Sequence, residues 1–286
     1  MKKILIFGAT GMAGHIITMY LSQFKEKYEV HNVCHRNKFN KESIICDIED
    51  IKKVNEIVED INPTVIINCI GVLNKTAEHD IKNTVYINSF FPNFLARIGE
   101  MKNIKIIHLS TDCVFDGKKG NYTEKSFKSE NGIYGLSKNL GEISGKNSLT
   151  IRTSIIGPEL KNGSGLFHWF MKQKGSMKGF TNVYWTGITT LELAKAIDKA
   201  LEENIEGLYH VVPCEKISKY NLLNIFKNEF KKDDIMIEKD AEIISDKSLV
   251  RTKDDFNFDV SSYQQMIEDM NKWMKKNKDI YTLYFD

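Results

Sequence analysis

Residues 2–14, KKILIFGATGMAG, decide how the rest of the chain is read. Residues 3–7 form a short apolar run that stops at Gly8, and helical spacing begins at residue 12 and continues to 23 (MAGHIITMYLSQ). Between them lies the turn Gly8-Ala9-Thr10-Gly11-Met12-Ala13-Gly14. Glycines there permit a tight strand-to-helix turn and let the backbone approach a pyrophosphate, toward which the free N–H groups of the helix start are aimed. A glycine triplet alone says little. One that follows a strand and opens a helix is a much stronger mark of a dinucleotide site.

Outward from this turn the chain keeps alternating. Strand-like runs are expected at 29–34, 43–46, 64–70 (TVIINCI), 105–109 (KIIHL), 149–154 and 207–212, and helices at 51–60, 81–99, 133–146, 166–174, 190–203, 218–230 and 261–275. The continuous apolar run 64–70 suits a strand buried on both faces. Repeated β-α-β units with short links predict an α/β fold, a Rossmann-like doubly wound parallel sheet, with a smaller α/β C-terminal substrate lobe. Residues 1–157 are expected to form the dinucleotide-binding domain. Residues 158–286 are expected to be mainly a substrate-binding lobe, interleaved with the last sheet elements and opening on the polar loop 158–165 (PELKNGSG).

The 286 residues, 42% hydrophobic, suffice for one large core. A net charge of +2 gives no reason to expect nucleic acid or an acidic membrane surface as partner. No apolar run approaches the ~20 residues of a membrane span, and the N-terminal apolar stretch breaks at glycine too early for a signal peptide. Five scattered cysteines without a CxxC pair read as free thiols in a reducing cytosol, and no metal site is expected. A cytoplasmic protein follows; a homodimer is compatible with the sequence, which fixes no oligomeric state.

The residue after the second strand separates NAD from NADP, because an acid there accepts from the ribose 2′-OH and a base pairs with a 2′-phosphate. Here the residues are Cys34-His35-Arg36, with no acid, and Arg36 is one of only four arginines among 40 basic residues. Guanidinium matches phosphate geometry, so NADPH is the expected cofactor, with NADH left open. Asp47 and Ile48, after the third strand, would lie near the adenine.

Tyr134 and Lys138 stand four apart on a helix and so share a face. A phenol is a poor proton donor-acceptor at neutral pH unless a cation stabilises its phenolate; Lys138 could do that and hold the nicotinamide ribose, leaving Tyr134 to protonate a carbonyl oxygen. Upstream, Ser110-Thr111-Asp112 ends the strand 105–109, at the sheet edge where doubly wound folds build sites. A hydroxyl there can hydrogen-bond the substrate carbonyl, although Ser, Thr and Asp are also ordinary turn caps. Trp185 could stack on a base or a sugar, and a packed Trp is the competing reading. Arg251 could reach a substrate phosphate or make a surface ion pair.

The motifs GATGMAG (8–14), STDCVFDG (110–117), YGLSKNLGE (134–142) and IRTS (151–154) make the chain resemble the extended short-chain dehydrogenase/reductases, and within them the dTDP-4-dehydrorhamnose reductase family. The similarity is close over 1–157 and loose beyond. It implies Thr111, Tyr134 and Lys138 as the catalytic set, and Gly8, Gly11, Met12 and Ala13 at the pyrophosphate, in the turn that also holds Thr10. It further implies Cys69, Ile70 and Gly71 along the adenosine and nicotinamide side, Ser110 beside the cofactor, Ser154 and Ile155 flanking the nicotinamide, and Val72, Asp112, Val114 and Phe115 bordering the sugar. Some members of the family bridge a dimer through a metal held by glutamates; Ile16 stands at one of those places, so that metal and that dimer are not expected.

The implied activity is NADPH-dependent reduction of a nucleoside-diphospho-4-keto-6-deoxy sugar to the 4-hydroxy sugar nucleotide, for polysaccharide or glycan precursors. Two rivals keep the fold. An epimerase or dehydratase with bound NAD would need an acid after the second strand or an Asp-Glu pair after Thr111; here Cys113 follows Asp112. A non-catalytic NADP-binding regulatory subunit would not need Thr111, Tyr134 and Lys138 together.

Overall fold

The computed structural model describes residues 1–161 and 163–285. In chain order the elements are β1 (Lys2–Phe7), α1 (Met12–Leu21), β2 (Tyr28–Cys34), β3 (Ile44–Ile45), α2 (Ile51–Ile61), β4 (Val65–Asn68), α3 (Asn74–Ala77) and α4 (Ile81–Val85). A π-helical turn (Tyr86–Phe90) then leads into α5 (Phe91–Lys102), β5 (Lys105–Ser110), α6 (Ile133–Leu140), β6 (Ser148–Arg152), β7 (Ile155–Ile156) and α7 (Leu166–Met171). The second half adds β8 (Gly175–Trp185), β9 (Ile188–Thr189), α8 (Thr190–Glu203), β10 (Gly207–His210), β11 (Ile217–Ser218), α9 (Lys219–Glu229), β12 (Ile235–Asp246) and α10 (Tyr263–Lys276).

Seven strands form one parallel sheet in the order β10-β6-β5-β4-β1-β2-β3. The order runs outward from β1 in both directions, which is the doubly wound α/β fold expected from the alternation. All four residues of β4 are buried, as its unbroken apolar run requires. One face of the sheet packs on α1 and α8 and the other on α2 and α5. Asparagine ends three of the helices: Asn62, Asn103 and Asn204 take the left-handed conformation after α2, α5 and α8. Asn tolerates that region better than other side-chain-bearing residues.

The second half does not stand apart. β10 crosses into the large sheet to pair with β6, Gly207 opposite Leu149 and His210 opposite Arg152. The smaller lobe is built on a three-stranded sheet, β11-β8-β12, whose core holds Phe167, Phe170, Trp185, Phe226 and Met270. None of its three strands is among the sequence expectations, which placed residue 218 at the start of a helix. The polar loop 158–165 includes Asn162, which lies outside the described residues.

Two expected helices differ in extent. The stretch 81–99 is not one helix: the π turn interrupts it, and Pro92, which cannot donate to a helical ladder, sits where α5 takes over. The helix at 133–146 ends at Leu140. Gly141 lies so close to the backbone of the π turn that a Cβ would be 1.8 Å from the Asn88 carbonyl oxygen, and the chain leaves the helix there.

Candidate active site

The glycine turn is held by contacts only glycine allows. Gly8 has φ +86°, and a Cβ on Gly14 would stand 2.1 Å from the Gly8 carbonyl oxygen, so α1 starts in van der Waals contact with the end of β1. In front of this turn opens a cavity of about 810 Å³. Its walls include Gly8, Thr10, Gly11, His35, Arg36, Asp47, Ile48, Cys69, Ile70 and Gly71, ten residues singled out from sequence, contributed by the C-terminal ends of β1, β2, β3 and β4. That is the size and position for the adenosine half of a dinucleotide. His35 Nε2 lies 3.4 Å from Asp47 Oδ2 across it. Met12 and Ala13 begin α1 behind the turn; Met12 packs toward Gly165.

The sequence reading missed the cavity's outer rim, formed by Asp80, Lys82, Asn83, Tyr86 and Ile87 of the segment after β4. Tyr86 donates from its hydroxyl to the Ile48 carbonyl at 2.9 Å and so ties this segment to the β3 end. Beyond it, Asn88 in the π turn clamps Val72 on both sides, accepting from its N–H (2.9 Å) and donating to its carbonyl (3.2 Å). The same amide donates to Ser137 Oγ at 3.1 Å. Val72, half-buried, is thereby fixed relative to α6.

Past the cavity, β5 ends at Ser110 and a 3-10 turn follows at Asp112–Val114. Thr111 Oγ1 caps that turn, accepting from Cys113 N–H at 3.1 Å and donating to Asp112 Oδ1 at 3.1 Å. The Tyr134 phenol, in the first turn of α6, comes within interaction distance of the Thr111 hydroxyl. Burial, then Cys113, raises its pKa above the ordinary phenol value; the Thr111 contact works against that and Asp112 adds to it. Burial lowers the Lys138 ammonium to about 8, with Glu142 pulling the other way. It donates to the Leu109 carbonyl at 2.6 Å and stands 3.4 Å from His108 Nε2. Lys138 is therefore turned toward β5, and Tyr134 is not lowered by it.

His108 is the residue beneath the site that sequence reasoning passed over, although a histidine inside the apolar strand KIIHL was the signal for it. Asn68 Oδ1 accepts from Ile70 N–H (3.1 Å), which orients its amide to donate to His108 Nδ1 (3.2 Å). The neutral imidazole then carries its proton on Nε2, facing Lys138. Burial, with the charge of Lys138, holds His108 well below the ordinary imidazole range.

Several expected site residues are committed elsewhere. Ser110 Oγ donates to Glu142 Oε1 at 2.7 Å, part of a buried network below the site rather than an open cofactor contact. Phe115 is fully buried, stacked on Tyr122 at 4.2 Å with the Arg152 guanidinium over its other face, and Val114 shares that small core; neither borders a sugar cleft. Trp185 is 3% exposed, packed against Tyr263, with Lys219 Nζ 4.7 Å above its ring, so the packed reading holds over the stacking one. Arg251 gives one N–H from each guanidinium nitrogen to the carbonyls of Lys253, Phe258 and Phe256, which commits the group to holding the 253–258 segment. Ser154 and Ile155, half-buried, connect β6 to β7 as the chain leaves the sheet. Cys113, beside Asp112, has a thiol pushed up to about 12 by burial and the neighbouring carboxylate, which rules out a thiolate nucleophile at neutral pH. Among the described residues no group of three His, Cys, Asp or Glu is arranged to hold a metal ion, and no helix is long and apolar enough to cross a membrane.

A family model described as RmlD substrate binding domain matches residues 1–253. The chain is similar to a dTDP-4-dehydrorhamnose reductase of Aggregatibacter actinomycetemcomitans, 32% identical over 161 residues; the match spans 54% of this chain and about half (51%) of that relative. Among solved structures it is similar to a hypothetical dTDP-4-dehydrorhamnose reductase from Sulfolobus tokodaii, 28% identical, covering 90% of this chain and 98% of that one with TM-score 0.75. It shares its fold with a dTDP-4-dehydrorhamnose reductase from Bacillus anthracis in complex with NADP, 22% identical, covering 94% and 98% with TM-score 0.80.

Proposed function

The chain belongs to the RmlD substrate-binding domain family, and on that footing we propose that it is a reductase that uses NADPH to convert the keto group of a nucleoside-diphospho-4-keto-6-deoxy sugar to the alcohol. The observation that carries the reading is that the first turn of α6, which bears Tyr134, packs on the turn after β5 that bears Thr111, with Gly135 lying against the Cys113 carbonyl. Lys138 stands one turn further along α6, and a cavity of mononucleotide size opens at the glycine turn of the same sheet edge. The names of the similar reductases support the substrate class. The cavity and the close Gly8–Gly14 packing suit a dinucleotide. NADPH, when bound, supplies hydride to the carbonyl carbon. Tyr134 gives its phenolic proton to the carbonyl oxygen, and Thr111 hydrogen-bonds that oxygen and keeps it beside the phenol. Lys138, released from Leu109, holds the ribose and stabilises the phenolate left behind.

The test is a panel of 4-keto-6-deoxy sugar nucleotides generated by dehydratases, with loss of NADPH absorbance as the readout. Turnover of at least one member is expected. Absence of turnover across the panel, with a stable complex formed with a second protein, would replace the reductase by a regulatory subunit.

Cofactor choice rests on Arg36. With no acid directly after β2, where Cys34-His35-Arg36 stand, and a guanidinium beside His35, a 2′-phosphate gains a charge-assisted partner. Arg36→Gln should reduce kcat/KM for NADPH about 10-fold or more while leaving NADH nearly unchanged. An unchanged NADPH/NADH ratio in that variant would assign the 2′-phosphate elsewhere.

A further inference from the structure

His15 follows the glycine turn directly, is fully buried, and belongs to none of the motifs. Its imidazole joins places 266 residues apart. Nδ1 lies 2.8 Å from the Gly11 carbonyl and Nε2 3.1 Å from the Tyr281 hydroxyl, which also takes the indole N–H of Trp273 at 3.1 Å. An indole only donates, so the phenol accepts from Trp273 and gives its own proton to Nε2. The neutral imidazole then carries its proton on Nδ1 and donates it to Gly11. Burial lowers His15 to about 4, the Gly11 carbonyl pulling the other way, so the ring is neutral across the ordinary pH range. The chain Trp273–Tyr281–His15–Gly11 is complete and runs in one direction.

Gly11 lines the cofactor cavity. Its carbonyl and the Met12 N–H are opposite ends of one planar peptide unit, so a bond that fixes the carbonyl aims the N–H the other way. α1 has no side-chain cap at Gly11 and no acid in its first turn, which leaves the leading N–H groups to an anionic ligand. The Gly11 carbonyl already accepts the His15 backbone N–H at 3.2 Å as the first ladder bond of the helix. The imidazole takes its second lone pair, and two donors on one carbonyl polarise the peptide toward a stronger N–H donor.

Tyr281 belongs to a C-terminal segment that grips the same turn elsewhere. Ile280 lines, with Met19, Phe39 and Leu160, a second cavity of about 470 Å³ that shares Thr10 with the first. The Tyr284 hydroxyl accepts from Glu159 N–H at 2.9 Å, Glu159 Oε2 accepts from Gly165 N–H at 3.0 Å, and the Met12 methyl stands against Gly165. The segment thus holds Gly11 through His15, and Met12 through Glu159 and Gly165. We propose that His15 is a positioning residue for the dinucleotide's pyrophosphate, and that the Tyr281 hydroxyl couples cofactor binding to docking of the C-terminal segment. This rests on the dinucleotide reading of the cavity and not on the keto-sugar chemistry. Coupling is reciprocal: what the docked segment adds to NADPH affinity, NADPH returns as protection of the segment.

The experiment measures NADPH affinity by fluorescence titration, and amide hydrogen exchange of residues 278–285 with and without NADPH, on full-length wild type, His15→Leu, His15→Asn and Tyr281→Phe. NADPH should slow wild-type exchange in that segment about 5- to 20-fold. His15→Leu should weaken NADPH by about the same factor, with Tyr281→Phe falling toward it. His15→Asn should bind within about 2-fold of wild type, because asparagine donates to the carbonyl four residues back, as Asn55 and Asn224 do at 3.0 and 2.8 Å. Asparagine fills the His15 space less well than leucine, so a purely structural role gives the opposite order. Both His15→Asn and Tyr281→Phe should abolish the protection. His15→Leu equal to wild type, His15→Asn weaker than His15→Leu, or wild-type exchange indifferent to NADPH overturns the proposal, and the last comparison needs no variant. A wild type that binds no NADPH overturns it together with the cofactor reading. Intact coupling in a protein that reduces no keto sugar upholds it and sinks only the reductase reading.

Discussion

Tyr134→Phe should lower turnover of the keto sugar nucleotide about 10²- to 10⁴-fold, the usual worth of a positioned proton donor, with NADPH affinity intact. The change deletes one oxygen from a half-buried ring in the first turn of α6 and leaves the Asn88–Ser137 clamp untouched. Because the phenol is raised by its surroundings, Tyr134 enters the reaction protonated, as a donor must. The helper is Lys138, whose ammonium burial lowers to about 8. A cation that assists only while protonated gives a wild-type rate that declines as pH rises through that value. Steady-state rates across pH, with fluorescence titration of NADPH, check both statements. A Phe variant retaining more than a tenth of wild-type turnover would remove Tyr134 from proton transfer.

The largest effect on stability is expected at Glu142. Its carboxylate, 3% exposed, takes Arg152 Nε and Nη2 at 2.7 Å each, Lys128 at 2.8 Å and Ser110 Oγ at 2.7 Å; Arg152, fully buried, gives Nη1 to His210 Nε2 at 2.9 Å. Burial alone would raise Glu142; Arg152 and the other donors override it and hold the carboxyl below its ordinary value. Glu142→Leu strands a guanidinium in the core and should cost about 3–5 kcal/mol in denaturant unfolding, whereas Glu142→Leu with Arg152→Met should recover most of that. A single variant as stable as wild type would contradict the account. The pH dependence has a fixed sign. Glu142 is depressed, so its contribution is present above the ordinary carboxylate range and lost as pH falls. His210 is held neutral by burial and by Arg152, its Nδ1–H on the Val250 carbonyl, so the unfolded chain takes up that proton first as pH drops below about 6.5. Both push toward acid unfolding.

The sheet was legible because its signals are local: β4 is an unbroken apolar run, and the glycine turn has one spacing that works. The glycine turn and the ends of β2 and β3 in the cofactor wall followed from that geometry, since strand ends in a parallel sheet converge whatever their side chains, while Cys69, Ile70 and Gly71 came from the family resemblance. What escaped depends on long-range packing. β12 buries only two of its twelve residues, so a solvated edge strand carried no hydrophobic alternation to detect. Phe115, Trp185 and Arg251 have side chains suited to ligands, but their destinations were set by partners far away in sequence: Tyr263 and Lys219 for Trp185, the 253–258 carbonyls for Arg251.

The strand exchanged between halves has a consequence for anyone dissecting this molecule. His210 arrives on β10, and with it comes the outer hydrogen-bond row of β6 and a partner of Arg152. A fragment stopping at residue 157 would carry a bare sheet border along β6 and a core guanidinium short of an acceptor, conditions that favour self-association over solubility. Swapping substrate modules between relatives by cutting there is therefore expected to disturb the scaffold along with the specificity.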